Sequence, residues 1–436
     1  MKLVIKGGRL IDPKHGRDAV TDVYIASGKI AALGAAPAGF IAQRMIDATG
    51  LVVCPGFVDL SARLREPGLE YKATLESELE AAMAGGVTSL VCPPDTDPPL
   101  DEPGLVEMLK HRARSLNKAR VFPLGALTQK LEGRELTEMA ELSDAGCIGF
   151  SQADAALTDT MTLMRALQYA ATFGFAVWLR PQDVFLSRHG VAHDGEVATR
   201  LGLPGIPSCA ETVALSTILL LARETGARIH LCRLSTAAGI GMVRVAKEQG
   251  LAVTCDVGMH HVHLSESDIG FFDSNCRLVP PLRAEADRAA IRAGLADGTI
   301  DAVCSDHSPV DDDAKQVPFG EAEPGATGLE LLLPLSLQWA REAHLPLDRA
   351  LARITHEPAR LLGIAGGELG VGSPADVCVF DPDAHWRVDR KSLYSQGKNT
   401  PFLGARMQGR VCCTLVDGHV VFDRPHGREA RKQATT

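Results

Sequence analysis

Eight short apolar runs, separated by segments of helical period, constrain this chain more than any other feature of its sequence. The runs are Phe57-Val58-Asp59-Leu60, Thr88-Ser89-Leu90-Val91-Cys92, Arg120-Val121-Phe122-Pro123-Leu124, Cys147-Ile148-Gly149-Phe150, Ala176-Val177-Trp178-Leu179, Ile229-His230-Leu231-Cys232, Leu251-Ala252-Val253-Thr254-Cys255 and Asp301-Ala302-Val303-Cys304. Helical patterns lie between them, for example over 74–84, 157–173, 210–224 and 284–297. Strands that alternate with helices pair in parallel, and eight such units predict an α/β chain folded as a (β/α)8 TIM-type barrel. An open doubly wound sheet is the alternative, but no Gly-x-Gly-x-x-Gly follows the first strand. In a barrel the chemistry sits at the C-terminal ends of the strands, so those residues are the candidates for function.

The two ends of the chain read differently. Leu3-Val4-Ile5, Asp22-Val23-Tyr24-Ile25 and Lys29-Ile30-Ala31-Ala32-Leu33 are short strands, the last two joined by a Ser27-Gly28 turn. The same texture returns at Ala375-Asp376-Val377-Cys378-Val379-Phe380, Thr414-Leu415-Val416 and Val420-Val421-Phe422, the last pair around Asp417-Gly418. The expectation is one small β domain made of 1–54 plus 366–423, a barrel over 55–365 and a frayed polar tail at 424–436.

Charge and cysteine usage remove several classes. Forty-five basic against 54 acidic residues give a net charge of −9, which argues against nucleic acid or an anionic membrane as partner. Eleven cysteines occur without any C-x-x-C pair, so they read as buried thiols of a cytoplasmic protein. The N-terminal stretch lacks a long apolar segment, and the longest apolar run, near 213–222, is broken by Ser216 and Thr217 and too short to span a bilayer.

The end of the first run is distinctive: Pro55-Gly56-Phe57-Val58-Asp59-Leu60-Ser61-Ala62-Arg63-Leu64-Arg65-Glu66-Pro67-Gly68. Ser305-Asp306-His307-Ser308-Pro309 follows the eighth run, and Pro280-Pro281-Leu282-Arg283, Gly328-Leu329-Glu330, Gly370-Val371-Gly372-Ser373-Pro374-Ala375-Asp376 and Asn399-Thr400-Pro401-Phe402 stand elsewhere. These segments resemble the dihydroorotase branch of the amidohydrolase superfamily over nearly the whole chain. The resemblance implies closure of carbamoyl aspartate or opening of its cyclic amide, with zinc activating water and polarising the carbonyl.

At the positions where the family carries metal ligands, however, this sequence departs. Ser61 and Arg63 replace the H-x-H pair, Ala153 stands for the ligating carboxylate after strand four, and Arg180 and Arg233 replace histidines after strands five and six. Of that set Asp306 remains. A guanidinium has no lone pair to donate, so the sequence predicts that the zinc site is lost and that no cofactor is used. The substrate positions are altered as well. Arg65, which in the family clasps a substrate carboxylate, is kept; Asp95 replaces an asparagine and would repel that carboxylate; Val279 replaces an asparagine that serves the ring amide.

Other motifs carry less. His260-His261-Val262-His263 invites a metal reading, but His260 and His261 would face opposite sides if extended. Asp306-His307 reads as a structural ion pair, Cys412-Cys413 as packing, and Asp311-Asp312-Asp313 as a solvated loop.

The main functional expectation is therefore a non-catalytic dihydroorotase-like subunit, with Asp306 as a remnant of the site. The resemblance implies that such a chain assembles with the catalytic chain of aspartate carbamoyltransferase in a large hetero-oligomer, with a homodimer also possible. The alternative is an active dihydroorotase or related cyclic-amide hydrolase with an atypical site, Asp306 acting as general base and the arginines stabilising an oxyanion. A third reading is an anion sensor built on Arg63, Arg180 and Arg233. Three arginines converging on one barrel mouth also require a buried anion; Asp306 is the expected partner and Asp183 the next.

Overall fold

The structure, a computed structural model, describes residues 2–424. All eight runs form parallel strands: Phe57–Asp59, Val87–Cys92, Arg120–Pro123 (continued by Gly125–Ala126), Phe150–Ser151, Ala176–Leu179, Arg228–Leu231, Val253–Gly258 and Ala302–Cys304. The ring closes between the eighth strand and the first, where the His307 amide donates to the Ser61 carbonyl at 3.1 Å and the Arg63 amide donates to the His307 carbonyl at 2.9 Å. The (β/α)8 expectation is met.

Helices cover the ring as their apolar periodicity requires. Leu75–Ala84 starts at Thr74, whose hydroxyl accepts from the Ser77 amide, and Glu285–Asp297 ends at Gly298, in the left-handed conformation (φ 88°) that glycine adopts freely. The core between strands and helices holds Phe57, Leu79, Phe150, Leu215, Leu231 and Trp339, all fully buried or nearly so. A smaller cluster of Leu60, Val91, Leu124, Trp178, Ala302 and Cys304 fills the ring.

Strands from both chain ends form one sheet, ordered His419–Asp423, Arg406–Val416, Val377–Arg387, Val52–Pro55, Lys2–Asp12, Arg17–Ala26 and Lys29–Leu33, with Arg44–Asp47 added beside Lys2–Asp12. The seam between the halves is antiparallel, with Cys378 opposite Cys54. Several of these strands are about twice the length that apolar runs suggest, because their ends are solvated and carry polar residues. Lys2–Asp12 continues through Lys6-Gly7-Gly8-Arg9 by way of a register shift between Ile5 and Gly8. A Cβ on Gly8 would stand 2.5 Å from the Val53 side chain, which explains the glycine at this close approach. Beyond Arg424 the expected tail lies outside the described residues.

The histidine cluster is helical rather than extended. Met259–His263 forms a short helix whose residues are all buried. His261 Nε2 lies 3.1 Å from the Pro280 carbonyl, His263 Nε2 lies 2.9 Å from that of Leu335, and His260 stacks on Phe402. Burial lowers all three imidazoles from 6.5 to about 4. The native state thus refuses protons that the unfolded chain accepts, so this stability is present above pH 6.5 and is lost as pH falls toward about 4. The urea midpoint is expected to drop through that window; a flat midpoint there would contradict neutral burial.

Candidate active site

The barrel mouth is built by residues just beyond the strand ends. Arg63 follows the first strand, Asp95 the second, Asp154 the fourth, Arg180 the fifth, Arg233 the sixth and Asp306 the eighth. Ala153, Arg233 and Asp306 have φ of 50°, 54° and 47°, left-handed values costly for residues other than glycine. Local strain thus accompanies the loops that aim these side chains.

Asp154 lies at the centre. Its Oδ1 accepts from Arg180 Nε and from an Arg233 terminal nitrogen, both at 2.5 Å, and its Oδ2 accepts from Arg63 at 2.6 Å. Arg63 also donates to Asp95 at 2.7 Å and to the Ser308 hydroxyl at 3.0 Å. Arg233 donates to Asp306 Oδ1 at 3.1 Å and to the Val279 carbonyl at 3.0 Å, while Arg63 approaches the same Asp306 oxygen at 3.7 Å. Burial alone would push the Asp154 carboxyl up, but Arg233, Arg180 and Arg63 together hold it well below the usual carboxylate range.

Asp306 behaves differently. Burial pushes its carboxyl up by more than Arg233 and Arg63 pull it down, and among the described residues its Oδ2 has no hydrogen-bond partner. Arg65 is also open. Its Nε donates to the Pro309 carbonyl at 2.8 Å, and its terminal nitrogens have no hydrogen-bond partner among the described residues.

Several expected roles change in this geometry. Arg233 does pair with Asp306, but the principal counter-ion is Asp154, one residue past Ala153. Asp183 is not a partner; its carboxylate accepts from the Phe185 and Leu186 amides and caps the short helix Val184–Ser187. Asp95 does not stand as a free charge opposing a ligand, because Arg63 takes it up. Val279 contributes its carbonyl to Arg233. Asp306 and His307 do not pair with each other: His307 Nε2 lies 2.6 Å from Glu78 Oε2, and its Nδ1 accepts from the Gly328 amide at 3.1 Å. Ser61 supplies backbone to the ring closure. Cys412 and Cys413 are buried in the terminal sheet's core, and Asp312 is an exposed partner of Arg390. A signal for Asp154 was present, since it is the sole acid in Phe150-Ser151-Gln152-Ala153-Asp154.

A family model described as "Dihydro-orotase-like" matches residues 50–238, and one described as "Amidohydrolase family" matches 204–422. A dihydroorotase-like protein of Pseudomonas aeruginosa is 46% identical over 423 residues, covering 97% of this chain and 100% of that relative. This chain belongs to the dihydroorotase-like family of amidohydrolases. A protein named dihydroorotase from Geobacter sp. (strain M21) is 43% identical over 425 residues, covering 97% of this chain and 99% of the relative. The L-hydantoinase (dihydropyrimidinase) from Arthrobacter aurescens superposes with a TM-score of 0.87 at 25% identity, covering 97% of this chain and 96% of that structure.

These relationships correct two expectations about this dihydroorotase-like chain. That it is not an enzyme is overturned by relatives named dihydroorotase along its full length and by a hydantoinase of the same architecture. The physical reason is that altered ligand positions remove one way of activating water, while a carboxylate and cations still face each other at the mouth. That no cofactor is used is corrected as well, since this family normally works with a metal, zinc. The residues at the mouth nevertheless do not fit a zinc ion. Both oxygens of Asp154 and one of Asp306 already accept from guanidinium groups, and Arg63, Arg180 and Arg233 offer no lone pair.

Removing Arg233 would leave the buried Asp306 without its direct cation and take one of three donors from Asp154. Arg233→Ala is expected to destabilise the fold by about 3–5 kcal/mol, the range for breaking one side of a buried ion pair. Chemical denaturation checks it, and a loss under about 1 kcal/mol would contradict the burial of the network.

Proposed function

We propose that this chain is a cyclic amidohydrolase of dihydroorotase type, acting on dihydroorotate or a related carboxylate-bearing cyclic amide. The observation that carries the reading is Asp306, a buried carboxylate with raised proton affinity, one oxygen held by guanidinium groups and the other unbonded among the described residues. In hydrolysis the free oxygen takes a proton from water as the water oxygen adds to the ring carbonyl. Arg233 and Arg63 stabilise the negative charge that develops there. Asp306 then returns the proton to the ring nitrogen as the C–N bond breaks, and cyclisation runs through the same groups in reverse. The open nitrogens of Arg65 suit the substrate carboxylate.

Both directions can be assayed on the purified chain. Asp306→Asn is expected to lower kcat by about 100-fold or more. Because Asp306 acts as a base and burial raises its pKa, the hydrolysis rate should fall as pH drops through a value above the ordinary 3.8. That acid limb should vanish in Asp306→Asn. Absence of turnover in wild type in both directions would sink the proposal.

Assembly is a second reading, compatible with the first: a hetero-oligomer with the catalytic chain of aspartate carbamoyltransferase, by family resemblance. What favours it is a mouth consolidated by ion pairs inside an otherwise complete family frame. The eleven unpaired cysteines suit a reducing cytoplasm. No helix among the described residues is long and apolar enough to cross a membrane. Co-expressed chains should co-elute through an interface above about 1,000 Å²; two separate peaks at micromolar concentration would end this reading.

A further inference from the structure

We infer that Asp154 is a built-in occupant of a carboxylate-binding site formed by Arg63, Arg180 and Arg233, and that a small carboxylic acid can take its place. The inference goes beyond amide hydrolysis, and its binding test requires no turnover.

The three guanidinium groups come from residues just beyond the ends of three barrel strands, and their side chains are only 5–7% exposed. There the Arg63 amide donates to the His307 carbonyl at 2.9 Å and the Arg233 amide to Asp256 at 2.6 Å. Asp154 comes from a loop instead. Its side chain is 32% exposed, and Ala155 and Ala156 beside it are exposed as well. The described backbone bonds that tie residues 154–158 down are few: the Ala155 amide reaches only back to the Gln152 carbonyl at 3.0 Å. Just before Asp154, Ala153 holds a φ of 50°, so leaving this loop conformation relieves a strained backbone. Buried cations facing an anion on an exposed and lightly tied loop make a site whose occupant can be exchanged.

Chemistry selects the exchange partner. The planar carboxylate of Asp154 satisfies donors from three directions at once, 2.5 Å from Arg180 and Arg233 and 2.6 Å from Arg63. A free carboxylate offers the same two oxygens and the same charge, which is the recognition guanidinium groups do best. Arg180 depends on this anion most, since Asp154 is its sole carboxylate partner among the described residues. A cavity of about 180 Å³ lies beside it, lined by Gln152, Asp154, Leu157, Arg180, Gln182 and Phe185, which leaves room for the body of a small acid. Without Asp154, Asp95 and Asp306 would face Arg63, Arg180 and Arg233 with one carboxylate too few.

The test uses the full chain with acetate, succinate and inorganic phosphate as probes, at ionic strength matched with sodium chloride. Binding is measured by equilibrium dialysis and by the shift in Tm. Asp154→Ala and the isosteric Asp154→Asn are each expected to bind succinate at least tenfold more tightly than wild type and to gain Tm on adding it. Arg180→Ala in either background should abolish the gain. If Asp154→Ala folds only when succinate is present, that too supports the site; if succinate does not restore it, Asp154→Asn decides. Equal succinate binding by wild type and Asp154→Asn would overturn the inference. Stabilisation by phosphate with none by acetate or succinate would overturn the assignment to carboxylates.

Discussion

The need to pair three buried guanidinium groups with carboxylates is the constraint on which this site depends. Arg63, Arg180 and Arg233 are nearly fully buried, and a buried cation without an anion costs several kcal/mol. Asp95, Asp154 and Asp306 supply one carboxylate for each of these three, each from a different loop, while Arg65 beside them is held by the Pro309 carbonyl alone among the described residues. The loops after the first, second, fourth, fifth, sixth and eighth strands are thereby linked by side chains as well as by the ring beneath them. A second buried link ties this ring to the C-terminal segment. Glu78, on the first barrel helix, accepts from the Ser395 hydroxyl at 2.6 Å and the Gln396 amide at 3.0 Å while facing His307. Burial opposes its charge, yet the His307 and Ser395 hydrogen bonds keep its carboxyl below the ordinary range.

The fold was legible because its strands are buried on both faces and so read as continuous apolar runs. Val87–Cys92 and Ala302–Cys304 contain no exposed residue. The terminal strands were legible only at their buried centres, because in a sheet with a solvated face the outer residues carry no apolar signal; Arg17–Ala26, with six non-buried residues before Val23, is an example. The short helix at Met259–His263 was missed for another reason. Five buried residues show no helical period when every face is covered by Phe402, Pro280 and Leu335.

At the site, residue types were legible and pairings were not. That three arginines converge follows from their strand ends. Which carboxylate meets them depends on a loop conformation, and the positive φ of Ala153 that turns Asp154 inward leaves no mark in a sequence where alanine rarely adopts it. Asp183, three residues after Arg180, was a reasonable partner by spacing. It lost that role to the unpaired amides of a helix N-terminus two and three residues further on.

The mouth can be understood as a metal centre with its signs reversed. A metal site places a cation among carboxylates and imidazoles and tolerates the like charges around it because the centre binds them all. Here a carboxylate stands at the centre and cations surround it, with Asp95 and Asp306 outside as their further partners. Both arrangements solve the same problem of drawing side chains from separate strand ends into one point. That is why the barrel, its closure at His307 and Ser61, and the terminal sheet can keep the family's form while the ligand positions change. The inversion had to involve several positions together. A single arginine among imidazoles would be an unpaired buried charge, and Asp154 alone would lack its donors. Only as a set do the three guanidinium groups and the central carboxylate leave no member of the cluster without an opposite charge.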